Sequence, residues 1–156
     1  MGFGVWRGSG RVHWVVTEDV GLGAPMAAGG AHVGGDDGEV AAARRSLAGK
    51  LLGESCYASL ESARAAIADG ADHVAFGSVF ASGTKPDARR APLSLFARAR
   101  SLGVPLVAIG GITADNALSA FTAGADCVAV ISDLFGAPDI ADRAALYRGI
   151  FEKHYA

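Results

Sequence analysis

Apolar residues in this chain gather in short unbroken runs rather than in strict alternation. Six runs read as strands: Val12–Thr17, Ala31–Gly34, Leu51–Ser55, His73–Gly77, Leu106–Gly110 and Cys127–Ser132. A continuous apolar run marks a strand covered on both faces, as in parallel sheets. Between the runs lie Ala-rich stretches with apolar positions at helical spacing. They predict helices over Val40–Leu47, Leu60–Asp69, Leu93–Leu102, Ala114–Ala123 and Ile140–Lys153. Val20–Gly30 has weaker helical character, broken by Gly21, Gly23 and Pro25. Ser59 is placed to cap one helix and Thr113 to start another. Gly70, Gly103 and Gly124 stop three of them, because glycine tolerates the positive φ that follows a last helical turn.

One phrase recurs. Gly70-Ala71-Asp72-His73-Val74-Ala75 returns as Gly124-Ala125-Asp126-Cys127-Val128-Ala129, 54 positions later, and Gly30-Ala31-His32-Val33-Gly34 is a looser copy. Each copy follows a helical stretch and opens an apolar run, so the repeated unit is helix, stop, strand. Such alternation means parallel βα units joined by right-handed crossovers. A doubly wound open sheet and most of a (β/α)8 barrel both satisfy the pattern. No G-x-G-x-x-G follows any strand, which removes support for the dinucleotide-binding open sheet.

Composition narrows the field. At 156 residues the chain is one domain, and a complete (β/α)8 barrel rarely fits below about 200 residues. Apolar residues make up 51% and charged residues 19%, enough for a core. A net charge of −2 argues against a nucleic-acid partner. The apolar run Val104–Ile112 is interrupted by Pro105 and two glycines and is too short for a bilayer, so no membrane association is expected. Met1–Arg11 is glycine-rich without an apolar stretch, and reads as an irregular leader ahead of a domain at 12–156. Cys56 and Cys127 have no metal-binding or redox spacing, which suits a cytoplasmic setting. Cys127 and Trp14 are expected in the core, Arg44-Arg45 and Arg89-Arg90 on solvated faces, and His32 and His73 as structural imidazoles.

In parallel α/β folds, ligands bind beyond the C-terminal ends of the strands. The residues there are Thr17-Glu18-Asp19, Gly34-Gly35-Asp36-Asp37, Glu54-Ser55-Cys56, Gly77 through Ser82, Thr84 and Lys85, Gly110-Gly111, and Ser132-Asp133. Carboxylates, hydroxyls, glycines and one of only three lysines gather at one end. The opposite ends carry mostly Gly-Ala-Asp and Val-Pro. This polarity suggests phosphate handling. Gly110-Gly111 before a helix lets backbone N–H groups approach an anion. Ser82, Thr84 and Lys85 supply two hydroxyl donors and a point charge. Glu18 and Asp37 are hard oxygen ligands suited to Mg²⁺.

At these residues the sequence resembles the thiamine-phosphate synthase family. The resemblance runs from about Val12 to Leu134. It is carried by Phe76 through Pro86, Val107-Ala108-Ile109-Gly110-Gly111-Ile112, Val128-Ala129-Val130-Ile131-Ser132, Ala31 through Asp37, and Gly53-Glu54-Ser55-Cys56-Tyr57. It implies a fold of the (β/α)8 TIM-barrel family, here an incomplete barrel of about six parallel βα units. It implies a transferase of thiamine biosynthesis that couples hydroxymethylpyrimidine diphosphate with thiazole phosphate. Glu18 and Asp37 then match the Mg²⁺ ligands, with Asp19 an alternative to Glu18. Thr17, Ser82, Thr84 and Lys85 match positions that bind the diphosphate substrate. Ser55 matches the position facing the reacting pyrimidine and diphosphate. Gly111, Ile131 and Ser132 match the thiazole-phosphate cradle. Lys85 and Ser55 are the expected catalytic pair.

The chain departs from the family pattern in three places. Thr17-Glu18 stands where the family usually has Asn-Asp, although Glu18 and Asp37 keep the family spacing of 19 positions. Gly35 stands for a Gln. A Gln-x-Arg-x-Lys strand has no counterpart in Met1–Arg11. The expectation is therefore an arc of six strands with two open edges, which invite pairing with a second copy. A thiazole tautomerase of the same superfamily and a non-catalytic phosphate-binding fragment are the alternatives.

Overall fold

A computed structural model describes residues 14–17, 20–23, 28–34, 40–81 and 90–156. The elements alternate as the periodicity requires: β1 (Val15–Thr17), α1 (Val20–Gly23), β2 (Gly30–Val33), α2 (Val40–Ser46), β3 (Leu51–Ser55), α3 (Leu60–Ala68), β4 (His73–Gly77), α4 (Ser94–Ala99), β5 (Leu106–Ile109), α5 (Ala117–Ala123), β6 (Cys127–Ala129), α6 (Ser132–Phe135) and α7 (Ile140–Tyr155). A 3₁₀ turn, Arg100–Leu102, extends α4.

All six strands are parallel and lie in sequence order from β1 to β6. This order decides between the two architectures. A doubly wound sheet reverses direction at a switch point and places helices on both faces. Sequential order with right-handed crossovers keeps every helix on one face, which is the wall of a barrel. The helices accordingly pack on one another: α1 on α2, α4 on α5, and α5 on α7. The register also drifts. Thr17 lies opposite His32, His32 opposite Gly53 and Gly53 opposite His73, yet β4 runs on to Gly77. That stagger accompanies the tilt of barrel strands. The result is a curled half-barrel, with β1 and β6 at its edges among the described residues.

The core lies between the convex face of the sheet and the helices. Leu52, Val74, Phe76, Leu106 and Ala108 are fully or almost fully buried there, against Ala63, Leu95, Phe96, Ala117 and Ala120. Phe76 meets Phe96 edge-on, with ring centroids 5.6 Å apart. Ser59 caps α3 as expected, its hydroxyl accepting from the Ser62 N–H at 3.0 Å.

The repeated Gly-Ala-Asp phrase has one structural meaning in both copies. Gly70 and Gly124 take φ of +101° and +109° and end their helices. The Asp that follows turns back to the neighbouring strand. Asp72 Oδ2 accepts from the Leu52 N–H at 2.8 Å, and Asp126 Oδ2 accepts from the Leu106 N–H at 2.9 Å. Each aspartate N–H also donates to the carbonyl of the same leucine. The phrase closes the N-terminal ends of the strands, away from the candidate site. Arg44 belongs to this closure and is not merely solvated. It pairs with Asp72 at 2.9 Å and donates to the carbonyls of Gly70, Leu47 and Lys50.

Several expectations need correction. Trp14 is 37% exposed and Cys127 is exposed, because Trp14 immediately precedes β1 and Cys127 lies on β6, the two edge strands, whose outer sides have no neighbour among the described residues. The sixth strand ends at Ala129, and Ser132 opens a short helix instead of closing the strand. The helix expected from Ala114 starts at Ala117, because the Asn116 side chain folds back to hold the preceding turn.

Candidate functional site

The strands point the same way, so their C-terminal ends form one rim. Of the residues expected there, Thr17 ends β1, Ser55 ends β3, Gly111 follows β5, and Ile131 and Ser132 follow β6. Glu18, Asp19, Asp37, Ser82, Thr84 and Lys85 lie outside the described residues, as does Met1–Arg11.

The corner between β4 and β5 is built on backbone contact. Val79 N–H donates to the Ile109 carbonyl and Phe80 N–H to the Gly110 carbonyl, at 3.0 and 3.1 Å. The Ser78 hydroxyl donates to the Phe80 carbonyl at 2.7 Å. Gly110 and Gly111 have φ of +93° and +64°. A Cβ on Gly110 would strike Ser78, and one on Gly111 would strike the backbone of Phe80 and Ala81. Both glycines are thus demanded by conformation and by close approach. Asn116 completes the turn. Its amide donates to the Gly111 carbonyl and its oxygen accepts from the Thr113 N–H, both at 2.9 Å. Motif spacing did not single out Asn116. The available signal was an amide with both bonding faces just after a glycine pair.

Asp133 ties the next corner to this one. It accepts from Ala114 N–H at 3.3 Å, from Tyr147 hydroxyl at 2.6 Å, and from Arg143 at 2.8 and 2.9 Å. One carboxylate thereby links the β5–α5 loop, α6 and α7. The Tyr147 hydroxyl, then Arg143 and the Ala114 N–H, hold the Asp133 carboxyl below its ordinary value of 3.8. Burial and the carboxylate push the Tyr147 hydroxyl upward in turn. Ser132 stands immediately before this anchor, with Ile131 68% exposed beside it. The sequence places Asp133 beside Ser132 at the strand end and gives it no role of its own.

On the concave face, Ser55 Oγ lies 3.0 Å from His32 Nε2, and His32 Nδ1 lies 3.4 Å from His73 Nε2. Burial lowers the His73 pKa from 6.5, opposed by the nearby Asp72. Cys56, next to Ser55, is fully buried. Burial, and then Glu54, push its thiol up to about 12, so it is no nucleophile at neutral pH.

Among the described residues no three His, Cys, Asp or Glu side chains cluster as a metal site. The ends of β1 and β2 do lie side by side, with Thr17 opposite His32. Glu18 and Asp37 follow those ends by one and four residues in sequence. Two shallow hollows lie at the opposite ends of the strands, around Arg44, Lys50 and Asp72 and around Arg100 and Asp126. Asp72, Asp126 and Arg44 are engaged in the strand closure there.

Residues 7–134 match the family described as thiamine monophosphate synthase. The thiamine-phosphate synthase of Methylobacillus flagellatus is 54% identical over 138 residues, covering 88% of this chain and 66% of that protein. That of Chromobacterium violaceum is 55% identical over 139 residues, covering 88% and 67%. The chain spans about two thirds of the length of the curated relatives it matches. A solved structure of thiamine phosphate pyrophosphorylase from Pyrococcus furiosus superposes with a TM-score of 0.83 at 34% identity, covering 91% of this chain and 68% of that one. Sequence and fold agree, and the chain belongs to the thiamine monophosphate synthase family.

Proposed function

We propose that the chain is a thiamine-phosphate synthase, a transferase that joins hydroxymethylpyrimidine diphosphate to thiazole phosphate and releases diphosphate. The observation that carries this is relatedness above 50% identity to proteins of that name, over most of the chain. The rim supports it: Ser55 ends, and Gly111 and Ser132 follow, strands of one parallel sheet, at the end where such folds bind ligands.

In this reading the chain handles two anions. Thr17, Ser82, Thr84 and Lys85 bind the pyrimidine diphosphate, and Ser55 faces the pyrimidine and the bond that breaks. Gly111, Ile131 and Ser132 cradle thiazole phosphate, with backbone N–H groups as donors. The close-packed Gly110-Gly111 corner and the Asp133 anchor hold that cradle in shape before the ligand arrives. The reaction is dissociative. The diphosphate departs, a pyrimidine methyl cation forms, and the thiazole nitrogen captures it. Lys85 and the neighbouring hydroxyls stabilise charge growing on the leaving group, and the cradle places the nucleophile. Glu18 and Asp37 are assigned to Mg²⁺, which supplies charge neutralisation on the diphosphate oxygens when bound. The work is done in the cytoplasm, where both substrates are soluble small molecules.

The test is diphosphate release by the purified chain with both substrates and Mg²⁺. Lys85→Ala lowers the rate by about 10²–10³. Binding of both substrates without any release refutes the transferase reading.

A further inference from the structure

Three polar side chains line up across β2, β3 and β4. His32 lies between Ser55 and His73, bonded to each through a different ring nitrogen. The imidazoles are tilted by 31°, with centroids 5.5 Å apart. The register places His32, Gly53 and His73 in one row. A Cβ on Gly53 would strike both rings. The missing side chain at position 53 is therefore what lets the two histidines meet.

Hydrogen accounting allows the row two directions. A neutral imidazole carries one donor and one acceptor nitrogen. In one direction Ser55 donates to His32 Nε2, and its only proton is used inside the protein. In the other, His73 Nε2–H donates to His32 Nδ1, and His32 Nε2–H donates to Ser55 Oγ. The Ser55 proton then faces outward. A diphosphate offers oxygen acceptors, so its recognition by Ser55 selects the second direction. Burial of His73 favours its neutral form, which leaves it one N–H to give.

We infer that His73 is a positioning residue: it holds His32 as the Nε2–H tautomer, so that Ser55 directs its hydroxyl proton toward the anionic substrate. The inference rests on the assignment of Ser55 to the pyrimidine diphosphate.

Imidazole ¹⁵N correlation spectra of the whole chain test the tautomer without any turnover. His32 is protonated on Nε2 in the unaltered protein. His73→Gln keeps that state, because its amide nitrogen reaches the same place and donates. His73→Phe keeps the bulk, loses the donor and mixes the tautomers. Pyrimidine diphosphate then binds His73→Phe about tenfold more weakly, thiazole phosphate binds unchanged, and His73→Gln restores affinity. A His73 with a packing role only would weaken both ligands alike and leave the tautomer alone. His32 protonated on Nδ1 in the unaltered protein, or an identical tautomer in His73→Phe, overturns the inference. Should His73→Phe not fold, Nδ1 protonation in the unaltered protein or in His73→Gln overturns it equally. Failure of the unaltered protein to bind pyrimidine diphosphate refutes the substrate assignment, while the spectra still decide the tautomer.

Discussion

Replacing Gly111 by alanine isolates the contact on which the proposed cradle depends. An added Cβ would lie 2.8 Å from the Phe80 carbonyl carbon and oxygen, and closer to the Ala81 carbonyl oxygen. The φ of +64° costs an L-residue about 1–2 kcal/mol. The obstructing atoms are backbone, so relief requires moving the loop, at about 1–3 kcal/mol more. Together these predict a loss of roughly 2–5 kcal/mol, large against a typical domain stability of about 5–15 kcal/mol. Two further glycines separate the contributions. Gly49 has a φ of +73° with nothing within 4 Å, so Gly49→Ala carries only the conformational cost. Gly149 lies within α7 in open space, and Gly149→Ala stabilises by up to about 1 kcal/mol. Urea unfolding of the three variants at a common slope gives the comparison. A Gly111→Ala loss no greater than that of Gly49→Ala would show that the β4 and β5 loops do not approach as described, and the preformed cradle would fall with it.

Asp126→Ala leaves the buried Leu106 N–H without its acceptor and costs about 1–3 kcal/mol by urea unfolding, whereas Asp126→Asn retains an acceptor and costs less. Asp133 contributes stability through a depressed carboxyl pKa, so that contribution is whole above the unfolded-state value of about 4 and is lost as pH falls through the folded one. The stability gap between the unaltered protein and Asp133→Asn is therefore wide at pH 7 and narrows below pH ~4; a gap that does not change with pH contradicts the account. At pH 8 a thiol reagent labels exposed Cys127 in the folded protein and spares Cys56, which reacts only after unfolding. Equal labelling of the two in the folded state would mean that Cys56 is not buried.

The βα alternation was legible because its signals are local. Strands β3 and β4 fall on the residues that the apolar runs marked, and the stops at Gly70 and Gly124 follow from what a helix end requires of φ. That Thr17, Ser55, Gly111 and Ser132 stand at one end of the sheet was legible for the same reason, since strand direction alone decides which loops share an end. Edge exposure was not. Trp14 and Cys127 are apolar residues in apolar runs, and only their place beside or on an edge strand sets them in the open.

Periodicity determined the units of this protein, and strand direction determined which of its loops share an end. Periodicity left a half-barrel and a doubly wound sheet both open and only the family resemblance pointed to the barrel; strand order itself belongs to the tertiary structure, because neighbours across a sheet leave no trace in the pattern of either strand. So do the Arg44–Asp72 closure, the Asp133 anchor and the His73–His32–Ser55 row. Their partners stand 28, 14 to 19, and 23 to 41 positions apart except for the nearer Arg143, and hydrogen bonds of this kind exist only once packing has brought those positions within 3.5 Å.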